Sequence, residues 1–288
     1  LAKSQGAELL HLSFPIPMLQ GRFDCKTVVS LHDLYPYDCP EVFGYPNVYF
    51  NRMFLQLCLR HSDAIACVST ATYQRALELF PESVAGKLSV IPNCFVPTTV
   101  SPEPPANFHS VNFVLAVAQH RHNKNLPLAI EGFGRMLEQK LIPEDCMFVV
   151  VGCEGPATEQ IRETIVSRGL AGRLKLLSSL RDNELQWLYQ HCSLFLAASS
   201  TEGFCLPLLE AMAAGCRIAC SDIPAHREIG SSSCHYFGID GTVEGLVMAA
   251  AEALEEQRAH EELSRFSPDV IGDQYMNLYR GLLSPVMA

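Results

Sequence analysis

The sequence predicts an α/β protein with two Rossmann-like halves, the first of them incomplete. Three observations predict it. Short apolar runs alternate with helical ones along the whole chain, which means parallel strands joined by crossover helices. The stretch from Pro97 to Pro105 places four prolines in nine residues and interrupts the alternation. Beyond it the pattern restarts with strands apolar enough to be covered on both faces, as in a doubly wound sheet.

In the first half, Glu8–Leu12, Lys26–Leu31, Ala64–Val68 and Leu88–Ile91 read as strands, and Val48–His61 and Thr70–Phe80 as helices. Leu1 already lies inside a helical stretch leading to the first strand, so a front end is expected to be missing. Residues 1–100 form this partial domain and 101–110 a linker, because proline-dense chain can form neither a helix nor a central strand. In the second half the expected order is strand Asn112–Ala118, helix Leu126–Gln139, strand Cys146–Gly152, helix Ala157–Arg168 and strand Leu174–Leu177. Helix Asp182–His191, strand Leu194–Ala198, helix Leu206–Ala214, strand Arg217–Cys220 and helix Thr242–Arg258 follow, so residues 111–265 make one domain. Residues 266–288 read as a closing helix.

Composition limits the function. The 288 residues are 48% apolar and carry a net charge of −10, which argues against a nucleic-acid groove, since phosphate binding rests on clustered Lys and Arg. Residues 1–106 hold 7 basic and 9 acidic groups against 14 and 22 in 107–288, so the first part is nearly neutral. Of twelve cysteines none forms a CxxC pair, and Cys67, Cys146, Cys192 and Cys220 sit in or beside apolar runs, where free Cys acts as a small hydrophobe. A reducing, cytoplasmic setting follows. No apolar run reaches the length of a membrane span, and no charged-then-apolar leader opens the chain.

In an open parallel sheet, ligands lie beyond the carboxyl ends of the strands, and three loops there stand out. The first runs Ser199-Ser-Thr-Glu202-Gly203-Phe204-Cys205-Leu-Pro207-Leu-Leu-Glu210. The helix it opens is apolar on every side except Glu210, a carboxylate that burial makes costly without partners. Its N-terminus can hold an anion such as a diphosphate, and Pro207 fits the first turn. Taken alone, Glu202 reads equally well as a capping acid and Glu210 as a structural partner of nearby backbone. The second loop, Gln119-His-Arg121-His-Asn-Lys124-Asn125, places two cations before a helix, or else is a solvated basic turn. The third, Val151-Gly152-Cys-Glu-Gly155-Pro156, lacks both dinucleotide and P-loop spacings. In the first half His32-Asp33 ends a strand, where a lone His is more often structural. Ser69-Thr70 reads as a helix cap, and Pro224–Gly230 as a short capped helix.

Taken in order, these elements resemble the retaining glycosyltransferases of family 4, which have the GT-B fold. The resemblance rests on His32-Asp33-Leu34, Val68-Ser69 through Ile91-Pro92-Asn93, Lys124-Asn125, and Glu202-Gly203-Phe204…Pro207…Glu210. The last is the family's pair of glutamates with seven residues between. Ser221-Asp-Ile-Pro224 and Phe266-Ser267, followed by a helix that crosses back to the first domain, also fit. The resemblance implies that Glu210 holds the ribose hydroxyls of a nucleotide-sugar donor. It implies that Glu202 and the N–H groups of Gly203, Phe204 and Cys205 meet the sugar, that Lys124 binds the diphosphate, and that His32 lines the reaction centre. It further implies transfer of a hexose with retention, from a donor such as a GDP-mannose-like or UDP-sugar, to a glycan or lipid-linked glycan. No metal or cofactor is implied, and the setting is cytoplasmic, including the inner face of a membrane. Two departures stand out. Gln119 occupies the place of an arginine usual five residues before the lysine, where Arg121 is the available substitute. The family's opening strand and Gly-rich loop are absent from the sequence, which leaves a sugar-nucleotide-binding or assembly subunit without turnover as the alternative.

Overall fold

The computed structural model describes residues 6–18, 21–98, 100–106, 108, 112–230, 232–240, 242–258 and 263–284. They divide into two compact units, Leu1–Phe95 with Ser264–Ala288, and Val96–Leu263. The helix expected at Leu1, part of the proline-rich linker (Thr99, Asn107, His109 and Ser110) and the last four residues lie outside the described residues. Within the linker, Pro97, Thr98 and residues 100–105 form neither helix nor strand, as fixed proline φ angles and missing N–H donors require.

In the first unit four strands, β1 (Leu9–Leu12), β2 (Lys26–Leu31), β3 (Ala64–Cys67) and β4 (Leu88–Val90), pair in parallel in the order β1-β2-β3-β4. Between them run α1 (Tyr35–Asp38), α2 (Asn47–His61), α3 (Thr70–Leu79) and α4 (Pro81–Val84). Alternate β2 and β3 residues, Val29, Leu31, Ile65 and Cys67, pack with Leu55 and Leu59 of α2 and Ala76 of α3. Ser69 caps α3 by accepting the Thr72 N–H at 3.0 Å, as that motif predicts. The short α1 and α4 were not expected: single turns opened by proline carry no 3.6-residue periodicity to read.

The second unit holds six parallel strands: β5 (Phe113–Val117), β6 (Met147–Val151), β7 (Leu174–Leu177), β8 (Leu194–Ala197), β9 (Ile218–Ser221) and β10 (His235–Phe237). Its helices are α5 (Leu126–Glu138), α6 (Thr158–Ser167), α7 (Asp182–His191), α8 (Leu206–Ala213), α9 (Pro224–Gly230) and α10 (Val243–Glu255). The strand order is β10-β9-β8-β5-β6-β7. The chain therefore starts in the middle, runs out through β6 and β7, then returns to β8 on the other side of β5. That reversal is a topological switch point, where the loops after β5 and β8 diverge and leave a crevice. Sequence reading missed β10, a three-residue edge strand too short to show alternation. Val114, Ala116, Phe148 and Val150 form the central core with Phe133 of α5 and Leu246 and Ala250 of α10. Cys146, Cys192 and Cys220 are buried here and Cys67 is buried in the first unit, all as free thiols.

The last helix, α11 (Pro268–Leu283), belongs to the first unit. Ser267 caps it through the Val270 N–H at 3.4 Å, and Ile271 packs on Ala66 and Ile91. Polar contacts add to this: Tyr279 Oη lies 2.6 Å from His11 Nδ1, and Tyr275 Oη lies 3.1 Å from Ser30 Oγ.

Candidate functional site

The crevice of the second unit is built from loops after β5, β8 and β9. After β5 the chain passes Gln119, makes a single 3₁₀ turn at His122–Lys124 and enters α5 through Asn125 at φ 48°. Asn, whose short polar side chain tolerates the left-handed region, lets the helix begin at once. After β8 the chain runs through Ser199–Phe204 and enters α8 through Cys205 at φ 85°, with Pro207 in the first turn.

The two loops are latched together. Asn123 donates from Nδ2 to the Thr201 carbonyl at 3.2 Å, and its own carbonyl accepts the Ser200 N–H at 2.8 Å. At the centre Lys124 Nζ meets Glu202 Oε1 at 2.5 Å, with side chains only 16% and 5% exposed. Ser199 Oγ donates to the same oxygen at 2.7 Å. Burial alone would raise the Glu202 pKa, but the charge and hydrogen bond of Lys124 and the Ser199 hydroxyl outweigh it and hold the carboxyl below its usual range. Glu210 lies one turn into α8, half-buried, and Oε2 accepts the Tyr189 hydroxyl at 2.7 Å. Burial pushes its pKa up, the Tyr189 bond draws it down, and the nearby Asp182 charge adds to the rise. The two glutamates thus lie on opposite sides of their ordinary range.

From β9, Ser221 Oγ donates to the Ser199 carbonyl at 2.5 Å. His226 on α9 points Nδ1 at the Ser221 carbonyl, 3.0 Å away, and is fully buried. Three buried side-chain atoms around the crevice have no hydrogen-bond partner among the described residues: His120 Nε2, Asn123 Oδ1 and His226 Nε2. Buried polar groups are rarely left this way, and each calls for a partner such as ordered water, an ion or a ligand.

Of the sequence-derived residues, the structure brings Lys124, Glu202, Gly203, Phe204, Cys205 and Glu210 onto neighbouring loops and one helix. Gly203, Phe204 and Cys205 are buried. Gln119 is exposed, and the half-exposed Arg121 guanidinium has no hydrogen bond or ion pair among the described residues, so it remains available to a ligand. The α8 helix departs from the expected all-round burial at Leu206, which is 41% exposed. His32 lies exposed in the first unit, with Nε2 2.8 Å from the Ser13 carbonyl. The glycine-rich loop after β6 proves to be scaffold. A Cβ on Gly152 would stand 1.9 Å from the Ala118 carbonyl oxygen, so only glycine lets β6 brace the Gln119 loop. His120 completes the brace, its N–H donating to the Cys153 carbonyl at 3.0 Å. Sequence reading missed Asn123, Tyr189, Ser199 and His226 as parts of the site. Asn123 and Ser199 lay inside loops already singled out, and His226 in a segment read as a short helix; Tyr189 sits on α7 and carried no signal.

Comparison with known proteins agrees with this architecture. The family model described as "Glycosyl transferases group 1" matches residues 99–269, more than half of the chain, and one described as "Glycosyltransferase Family 4" matches residues 1–98. The chain is 27% identical over 229 residues to a subunit of the human phosphatidylinositol N-acetylglucosaminyltransferase, covering 76% of this chain and 44% of that one. It is 24% identical to an O-antigen chain mannosyltransferase of Salmonella typhimurium, covering 78% and 59%. The chain thus spans about half the length of these relatives. Among solved structures, sucrose-phosphate synthase from Thermosynechococcus elongatus superposes with a TM-score of 0.72 at 17% identity, over 98% of this chain and 75% of that one. The Anabaena HepE protein in complex with UDP and glucose gives 0.65 at 18%, over 89% and 72%. With a parallel sheet that reverses at β5, one glutamate just before α8 and a second inside it, and a family match across both units, the chain belongs to the group 1, family 4 glycosyltransferases of GT-B fold.

Proposed function

We propose that the protein transfers a hexose from a nucleotide-diphospho-sugar to a glycan or lipid-linked glycan, with retention of anomeric configuration and without a metal. The observation that carries this reading is the Lys124–Glu202 pair at the switch point, with Glu210 on the helix that follows. A diphosphate entering the crevice competes with Glu202 for Lys124, and Arg121 stands free to add a second cation. Glu202, released from Lys124, accepts hydroxyls of the sugar, and Glu210 accepts those of the ribose.

In the reaction the bond between the anomeric carbon and the diphosphate oxygen breaks while the acceptor oxygen bonds on the same face. The acceptor proton passes to the departing phosphate. Rate then comes from positioning and from charge placed in advance on the leaving group, the part Lys124 supplies. His32 lines the acceptor side. The relatives' activities, on phosphatidylinositol and on O-antigen chains, favour a lipid-borne acceptor. No helix among the described residues is long and apolar enough to cross a membrane, while Tyr45, Tyr49 and Phe50 of the first unit are 84%, 60% and 52% exposed. Such residues suit peripheral contact with a lipid surface.

Gln119 favours a second reading, donor binding without turnover, because it removes one cation from the diphosphate site. A transfer assay separates the two. The chain is incubated with labelled GDP-mannose, UDP-glucose or UDP-N-acetylglucosamine and lipid-linked acceptors, with and without chelator. Chelator-insensitive transfer, with an anomer matching the donor in the product, supports the first reading. Donor binding without any product, from the chain alone, supports the second.

A further inference from the structure

Among the described residues, one group of side chains has the donor set and spacing of a metal site: Glu202, Cys205 and His226, whose ligand atoms all lie within 4.8 Å of one another. Cys205 and His226 are 8% and 0% exposed. A tetrahedral zinc held by one sulfur, one nitrogen and one oxygen needs donor separations of about 3.5 Å, so the three side chains would close by about 1 Å.

Two features mark the site, and the first of them points to a ligand. The first is His226. With Nδ1–H donating to the Ser221 carbonyl, Nε2 carries the lone pair, and it is buried without a partner among the described residues. A backbone carbonyl that fixes the tautomer and leaves the other ring nitrogen bare is the usual arrangement behind a metal-bound histidine. The second is Cys205, a non-glycine residue at φ 85°. A side chain in this region costs about 1–3 kcal/mol and persists where its surroundings demand it. The Cys205 thiol lies within 4.8 Å of a Glu202 carboxylate oxygen.

We propose that Glu202, Cys205 and His226 form a binding site for a thiophilic divalent cation, zinc above all, that closes the donor pocket when filled. On binding, the cysteine S–H bond breaks, its proton leaves to solvent, and the sulfur bonds the metal. His226 Nε2 and a Glu202 oxygen complete three ligands, with water in the fourth position. Because the metal takes the carboxylate that Lys124 now holds, it excludes the donor sugar. The exclusion rests on the function proposed above; the metal site itself does not.

Cobalt(II) tests both parts. Titrated into the chain in the absence of nucleotide, it should give a thiolate-to-metal charge-transfer band and tetrahedral visible absorption at one equivalent, both abolished by zinc. Cys205→Gly, which removes the thiol and relieves the backbone, should fold normally and weaken binding by at least about tenfold, as should His226→Ala. Cys192→Ala, at the separate buried Cys192–Cys216 thiol pair, should leave the band unchanged. A folded chain that gives no band, or a band that survives Cys205→Gly, overturns the site. Nucleotide-sugar should raise the cobalt concentration needed, and zinc should weaken donor binding by the same factor, since linkage is reciprocal. A cobalt band indifferent to a nucleotide-sugar that binds leaves the metal site standing and overturns the exclusion.

Discussion

Lys124 and Glu202, 78 positions apart in the chain, meet at 2.5 Å from the loops that follow two adjacent strands, β5 and β8. Each is the other's partner in a site with little access to water, so neither charge can be removed without consequence for its counterpart. Replacing Lys124 by Met leaves a buried carboxylate without its cation and should destabilise the fold by about 3 kcal/mol. The double variant Lys124→Met/Glu202→Gln should cost clearly less than the sum of the singles. Denaturant unfolding of the three variants checks this; additive losses would mean that the pair is not coupled.

Acid should reach the same pair. The Glu202 carboxyl is held below its usual range, burial notwithstanding, by Lys124 and Ser199. A carboxylate with a depressed folded pKa adds stability above its unfolded value, and that stability is lost as pH falls through the folded one. Glu202→Gln should therefore lower stability at neutral pH and flatten its decline between neutral and acid. Melting temperatures across that range read the effect; parallel curves for wild type and variant would contradict it.

Glu210 behaves in the opposite sense. Its raised pKa means that the folded state holds its proton more tightly than the unfolded chain does, so the group costs stability as pH rises through that window. Glu210→Gln, which keeps a partner for Tyr189, should melt no lower than wild type at neutral pH while losing donor affinity. Tyr189→Phe should do the reverse to the fold. It strips the carboxylate of its hydrogen bond at 2.7 Å, at a cost of about 1.5–3 kcal/mol.

The glycine at the end of β6 is predicted to be intolerant for reasons of space alone. Gly152→Ala would drive a methyl into the Ala118 carbonyl, and both neighbours are backbone. The loop carrying Gln119 and Arg121 must shift or the sheet must open. Hydrogen exchange of the 113–125 segment should quicken markedly in this variant, and a protection pattern like that of wild type would refute the packing account.

Most of the sheet was legible because its strands are nearly unbroken apolar runs bounded by turn residues, and the helices between them carry caps or prolines at their starts. The Glu202…Glu210 spacing and the Lys124 loop could also be read. What the sequence could not show is that β5 and β8 lie side by side. Strand order is a property of tertiary packing, and only that adjacency turns two loops into one crevice. The same reason hid Tyr189, which reaches Glu210 from α7, and His226, whose tautomer is set by a carbonyl on β9. The loop after β6, whose glycines match neither the dinucleotide nor the P-loop spacing, has a different reason: Gly152 is there because a neighbouring backbone occupies the space.

Lys124, Glu202 and Glu210 form the proposed donor site, and calorimetric titration with UDP-, GDP-, ADP- and dTDP-sugars reads its occupancy. Selective binding of one nucleotide class by the chain is predicted, with its loss in Glu210→Ala, a variant that stays folded but melts lower because Tyr189 loses its acceptor. Equal affinity in the folded Glu210→Ala variant, or no binding of any of the four by the folded wild-type chain, would contradict it.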